Sequence, residues 1–161
     1  MTIHIATDHA GFALKNEIVA WLRDEGKTVI DHGACTHDPE DDFPDFIALA
    51  AAAVSAAPQK NRAIIFGGSG QGEAMLANRY AAVRTAVYYG GNDSIPVLSR
   101  QHNDANILCL GARENIKEIG FLPGDEPYPV IFAWIKIFAN TEFEGNRHKR
   151  RIEKIIEKEG L

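Results

Sequence analysis

Apolar positions along this chain switch repeatedly between two periods. Ile3 to Thr7 is a short, nearly continuous apolar run that ends in polar residues, as a buried parallel strand does where its carboxyl end opens onto a site. Beyond the loop Asp8-His9-Ala10-Gly11, the residues Phe12, Leu14, Ile18, Val19, Trp21 and Leu22 recur at helical spacing, and Gly26 supplies the stop. Thr28 to Ile30 reads as a second strand, and Asp31 to Asp45 as a long, acidic, proline-containing loop. An alanine-rich helix follows from Phe46 to Ala57, ended by Pro58. Ala63 to Phe66 gives a third strand, a glycine-rich turn and a helical pattern from Ala74. Arg84 to Tyr88 is a fourth strand, and Asn92 or Asp93 can cap a helix through Ser99 whose end carries Arg100-Gln101-His102-Asn103. Asn106 to Leu110 is a fifth strand.

Repeated βα units of this length predict a three-layer, Rossmann-like α/β fold with a five-stranded, mostly parallel sheet, as a single domain over residues 1–161. Ligands of such sheets bind outside the carboxyl ends of the strands, which places Asp8, His9, Gly67 to Glu73 and Gly111-Ala112-Arg113 at one edge. The stretch from Glu114 to Pro129 is rich in Gly and Pro and predicts at most a short helix. Val130 to Ala139 is apolar on nearly all sides, more than one core-facing stripe needs, which predicts a homodimer contact there or nearby. Arg147 to Glu159 reads as a charged C-terminal helical extension with the narrow apolar stripe Ile152, Ile155 and Ile156.

Composition narrows the function. With 22 acidic against 17 Lys and Arg residues, a formal net charge of -5 argues against general affinity for nucleic acid. Cys35 and Cys109 lack any disulfide or zinc spacing, so no metal site is expected from them. The opening residues carry no basic leader segment and no apolar run reaches membrane-spanning length, so a cytoplasmic protein with no membrane contact is expected. The acidic cluster Asp38, Glu40, Asp41 and Asp42 lacks the glycine and final glutamate of a calcium loop and reads as a solvated surface loop.

The richest chemistry lies in Gly67-Gly68-Ser69-Gly70-Gln71-Gly72-Glu73. A glycine turn between strand and helix can aim backbone N–H groups at an anion, and Glu73 adds a carboxylate at its exit. An anion cradle beside a potential base points to proton abstraction; a well-made turn followed by a solvated first-turn glutamate is the alternative reading. The loop matches neither the dinucleotide fingerprint nor the Walker loop, which makes nucleotide binding a weak alternative. Arg147 and Arg151 are four apart on one helical face, which suits bidentate capture of phosphate, or pairing with Glu144 and Glu153 on a solvated helix.

Taken together, Asp8-His9-Ala10-Gly11-Phe12, the glycine loop with Asn78 after it, Ser99-Arg100-Gln101-His102-Asn103, Gly111-Ala112-Arg113 and Arg147-His148 with Arg151 resemble the ribose-5-phosphate isomerase type B family, which includes galactose- and allose-6-phosphate isomerases. The resemblance implies interconversion of an aldose phosphate and a ketose phosphate through a cis-enediolate, without metal or organic cofactor. Many members carry a cysteine base where this chain has Gly67. A second branch uses a glutamate six residues on, where this chain has Glu73, so Glu73 is the implied base. By the same resemblance Ser69 and the backbone N–H groups of Gly70, Gln71 and Gly72 form an anion hole, Gly68 also binds the substrate, and His102 opens the sugar ring with help from Asp8. Asn103 binds the reacting oxygens, and His9, Arg147 and Arg151 hold the phosphate. Arg113 reaches the phosphate or a hydroxyl. The family's site lies between subunits, which implies a homodimer or a dimer of dimers, with the C-terminal helix near residues 146–159 at the interface. Pentose 5-phosphate is the implied substrate; a hexose 6-phosphate isomerase, or a catalytically silent sugar-phosphate-binding module on the same fold, is the alternative.

Overall fold

The computed structural model describes residues 1–112 and 128–158. Its framework is a five-stranded sheet in the order β2-β1-β3-β5-β4, with β1 at Thr2–Ala6, β2 at Thr28–Asp31, β3 at Asn61–Gly67, β4 at Thr85–Tyr88 and β5 at Ile107–Gly111. All four pairings are parallel. The helices are α1 (Phe12–Asp24), α2 (Phe43–Ala56), α3 (Gln71–Ala77), α4 (Ser94–Asn103), α5 (Tyr128–Asn140) and α6 (Asn146–Ile156). The order reverses direction across β1 and β3, so the carboxyl ends of these central strands open onto the crevice expected at such a switch point.

Two apolar layers hold the sheet. On one face, Ile3, Ile5, Ile64, Phe66, Leu108 and Leu110 pack against Ile18, Leu22, Ile131, Ile135 and Phe138 of α1 and α5. On the other, Ala6, Ala63, Ile65, Ile107 and Cys109 pack against Ile47, Ala50, Ala51 and Val54 of α2. The small residues of α2 let it lie close to the strands. Gly11 serves the same end: a Cβ there would overlap Thr7 Oγ1 and stand 2.7 Å from the Phe66 Cβ.

Three differences from the sequence reading have physical causes. α2 starts at Phe43 rather than Phe46, because Pro44 sits in its first turn, where a proline has no N–H bond to lose. The apolar girth of α5 is largely used within the chain: Ile131, Trp134, Ile135 and Phe138 are buried, and Phe132 stacks on Trp21 with centroids 4.2 Å apart. The third concerns the acidic loop, which is not wholly solvated, since Asp41 is largely buried. The stretch 114–127 and Glu159 lie outside the described residues. Among the described residues no helix is long and apolar enough to cross a membrane.

Polar groups inside the fold are paired with care. Lys15 is 1% exposed and donates to Asp31 Oδ2 at 2.5 Å, and Asp31 Oδ1 accepts from the Gly33 N–H, which fixes the start of the acidic loop. Arg62 donates to the carbonyls of Phe138 and Ala139, and Arg100 to that of Thr141, closing the carboxyl end of α5 and the residues after it. His4 of β1 and His32 lie stacked, with Nδ1 of one 2.9 Å from Nε2 of the other. Burial lowers the pKa of both, and for His4 the neighbouring His32 adds to the effect.

The His4–His32 bond needs one ring nitrogen as acceptor, so two protonated rings cannot keep it. The unfolded chain binds protons near the ordinary histidine value of about 6.5, whereas the folded chain takes them up only at lower pH. Stability therefore declines as pH falls below about 6.5. Urea unfolding of wild type and His32→Gln at neutral and mildly acidic pH checks this: the variant's loss between the two pH values is expected to be the smaller.

Candidate active site

The carboxyl ends of β1, β3 and β5 assemble one group of residues. β3 ends at Gly67, and the turn Gly68-Ser69-Gly70 leads into α3, with Gly70 at φ +76° before the first helical residue. That placement puts Glu73 in the first turn of α3, where its side chain folds back and is buried, 5% exposed. Its carboxylate occupies the space over Gly67. A Cβ at position 67 would overlap the nearer carboxylate oxygen and stand 2.5 Å from the farther one. Glycine at the strand end and a buried carboxylate six residues later are thus one structural feature.

Burial pushes the Glu73 carboxyl above the usual carboxylate range; a bond from its own backbone N–H opposes this, and the charge of Asp8 adds to it. The helix N-terminus favours the ionised carboxylate, but desolvation within the folded chain outweighs it. Asp8 is also buried at the end of β1, with Oδ1 accepting from the Ala10 N–H. Below the loop, the buried Cys109 thiol donates to the Gly70 carbonyl at 3.0 Å, and burial, with Glu73 nearby, raises its pKa well above the ordinary value. This makes Cys109 an anchor, inert as a nucleophile.

Two residues at this edge are not among the site residues expected from the sequence. Asp41 Oδ1 accepts from both the backbone N–H and the Nδ1 of His9, at 3.0 and 2.7 Å, so the acidic loop is tied to the strand end that carries His9. Nothing in the sequence separates Asp41 from Asp38 or Asp42. Tyr89, directly after β4, donates its hydroxyl to the Ser69 carbonyl and accepts from Gln71 Nε2 at 2.8 Å. Its place one residue beyond a predicted strand was the available signal, by the rule that put Asp8 at the same edge.

The other predicted residues lie elsewhere in the chain. α4 runs from the carboxyl end of β4 back toward the amino end of β5, so His102 and Asn103 sit at the opposite sheet edge, about 15 Å further along by helical rise. There the His102 ring stacks on His148 of α6, with centroids 4.1 Å apart and planes within 4°. Glu144 Oε2 lies 4.0 Å from His102 Nε2 and 3.6 Å from His148 Nε2. Burial, with His102 and Arg147 close by, lowers the His148 pKa. Arg147 and Arg151 are exposed on α6, and neither is paired with Glu144 or Glu153, whose partners are the two histidines and Lys149. Arg113 lies outside the described residues. Asn78, from the same set of motifs, plays a structural part, its Oδ1 accepting from the Thr85 N–H at the start of β4.

Among the described residues, two groups have donors close enough for a metal ion, Asp8-His9-Asp41 and His102-Glu144-His148. In the first, His9 Nδ1 is taken by Asp41. In the second, parallel stacked rings point their in-plane lone pairs side by side, not at a common centre, and Arg147 Nε approaches His148 Nε2 at 3.4 Å.

The geometry of the Gly67–Glu73 turn makes a direct prediction. Gly67→Ala should expel the carboxylate from its buried position, returning the titration of Glu73, followed by carboxyl NMR, toward the ordinary range of about 4.3. An unchanged titration would show that the carboxylate does not depend on that space.

The chain is similar to known proteins over nearly its whole length. It is 36% identical over 154 residues to a probable ribose-5-phosphate isomerase B of Mycoplasma genitalium, spanning 96% of this chain and 93% of the relative. It is 35% identical over 153 residues to ribose-5-phosphate isomerase B of Escherichia coli, spanning 95% and 93%. Among solved structures, the M. genitalium enzyme with bound ribulose-5-phosphate superimposes with a TM-score of 0.85 at 35% identity, covering 98% of this chain and 95% of the other. That of Clostridium thermocellum gives 0.83 at 38% identity, covering 99% and 97%. The model of the Ribose/Galactose Isomerase family matches residues 3–155, and with these relatives it shows that the chain belongs to that family.

Proposed function

We propose that this protein is a cytoplasmic aldose–ketose isomerase that interconverts ribose 5-phosphate and ribulose 5-phosphate, with Glu73 as the base. The observation that carries the mechanism is the buried Glu73 carboxylate over Gly67, its pKa pushed up by desolvation. A base of that kind takes the C2 proton of the open-chain aldose and returns it to C1 through a cis-enediolate, while the O2 hydroxyl proton passes to O1 so that C2 becomes the carbonyl. As the proton leaves, negative charge grows on the carbonyl oxygen, where Ser69 and the backbone N–H groups of Gly70 to Gly72 act as its hole. One such donor is worth about 3 kcal/mol. Family membership and the bound ribulose-5-phosphate of the M. genitalium relative support the choice of a pentose phosphate.

The reading includes a homodimer whose sites are shared. Glu73, Asp8 and His9 stand at one sheet edge, and His102, Asn103, Arg147 and Arg151 at the other. A single chain cannot apply both sets to one sugar, whereas two chains packed edge to edge can. His102 then opens the furanose ring over the base of the other subunit, and the arginines meet His9 at the phosphate. The exposed stripe Ile155 and Ile156, at 56% and 48%, supports α6 as part of that contact.

The direct test is to incubate the purified protein with ribose 5-phosphate and, separately, with allose 6-phosphate, and to measure ketose. Ketose from the pentose is expected; ketose from the hexose alone, or thermal stabilisation without turnover, would overturn the reading. Glu73→Gln should lower turnover by about 10²- to 10⁴-fold while sugar-phosphate affinity stays within about tenfold. Because the base works ionised, kcat/KM should fall as pH drops through the raised Glu73 pKa. The acid limb should therefore lie above the ordinary value of about 4.3, and be absent from the residual activity of the Gln variant.

A further inference from the structure

Peptide groups in a glycine-rich turn flip readily unless something outside the turn holds them. Here two successive carbonyls are held. The Ser69 carbonyl accepts from the Tyr89 hydroxyl, and the Gly70 carbonyl accepts from the Cys109 thiol and from the Ala74 N–H, at 3.0 and 3.1 Å. The Ser69–Gly70 peptide is trans, and in a planar trans peptide the C=O and N–H point opposite ways. A hydroxyl on the Ser69 oxygen therefore sets the direction of the Gly70 N–H on the far side of the same plane. It also polarises that peptide and strengthens the N–H as a donor.

Tyr89 is itself built into place. Its hydroxyl accepts from Gln71 Nε2 at 2.8 Å, which closes a small ring of bonds across the turn. Its aromatic ring lies on Gly111 at the end of β5, where a Cβ would stand 2.8 Å from Cε1 and 3.1 Å from the Ser69 oxygen. Gly90 and Gly91, both at positive φ, turn the chain away immediately afterwards. The turn's own Ser69 hydroxyl accepts from the Gln71 N–H at 3.3 Å; among the described residues, Tyr89 supplies the one hydroxyl from outside the turn that bonds to its backbone.

We infer that Tyr89 is a positioning residue for the oxyanion donors of the glycine turn, acting through the Ser69–Gly70 peptide and not by touching substrate. The inference rests on the isomerase reading above. It differs from a packing role because it acts on charge that exists only near the transition state, so it should appear in kcat and not in ground-state binding.

Tyr89→Phe keeps the ring on Gly111 and removes only the hydroxyl. Ribose 5-phosphate kinetics of this variant should show kcat lowered about tenfold, a fraction of what a lost donor costs, with KM within about twofold. Two inhibitors separate the causes. Affinity for a sugar-acid hydroxamate phosphate, which mimics the planar enediolate, should fall by the same factor as kcat. Affinity for a polyol phosphate, which offers the hydroxyls and phosphate alone, should stay unchanged. Unaltered kcat and hydroxamate affinity would overturn the inference, as would equal weakening of both inhibitors, which marks general damage to the pocket. A wild-type protein that neither isomerises the pentose phosphate nor binds the hydroxamate overturns the isomerase reading, and this inference with it. A wild type that does both, beside an unaffected Tyr89→Phe, overturns this inference alone.

Discussion

The space above Gly67 is the constraint on which the rest of the site depends. β3 must end without a side chain so that the first turn of α3 can fold a carboxylate onto the strand end. Once there, Glu73 loses water, gains the charge of Asp8 as a neighbour and becomes a stronger base than a first-turn glutamate in solvent. The surrounding residues follow from the need to keep that turn in shape: Cys109 below it, Tyr89 beside it and Gly111 small enough to let Tyr89 in. Burial of a carboxylate costs stability, and the two apolar layers on either face of the sheet supply the scaffold that tolerates it.

A parallel sheet imposes a second constraint. The helices that join successive strands, α1 to α4, return the chain to the amino edge, so chemistry at the end of α4, and on α6 packed against it, is carried away from chemistry at the strand ends. His102, stacked on His148 and facing Glu144, is held by its own neighbours yet remote from Glu73 in the same chain. In the shared-site reading this distance is a design feature. On the proposed roles it would link assembly to activity, with the base and the ring-opening group of each site coming from different subunits.

Much of this was legible in the sequence because it rests on local rules. The alternation of short apolar runs with 3.6-period stretches located all five strands. The glycine turn lies at the strand end where the sequence put it, and Glu73 is folded in and buried, not the solvated first-turn glutamate that was the alternative. What escaped notice depends on tertiary distance. Asp41 reads like its acidic neighbours until the loop folds back onto His9. Tyr89 is an ordinary strand-end aromatic until Gly111 makes room for it. The apolar girth of α5 invited a partner subunit, but Trp21 and the chain's own core cover most of it. Pro44 was read as loop although a proline also fits a helix's first turn, and composition cannot choose between the two.

In the proposed dimer one site needs Glu73 from one subunit and His102 from another. Subunit complementation tests it most directly. Purified Glu73→Gln and His102→Ala proteins, each strongly impaired alone, are mixed under conditions that exchange subunits, and ribulose 5-phosphate formation is measured. Half of randomly paired dimers would be mixed and each would hold one intact site, so activity of about a quarter of wild type is expected to return. Activity no greater than the sum of the two separate variants, despite demonstrated exchange, would contradict the account.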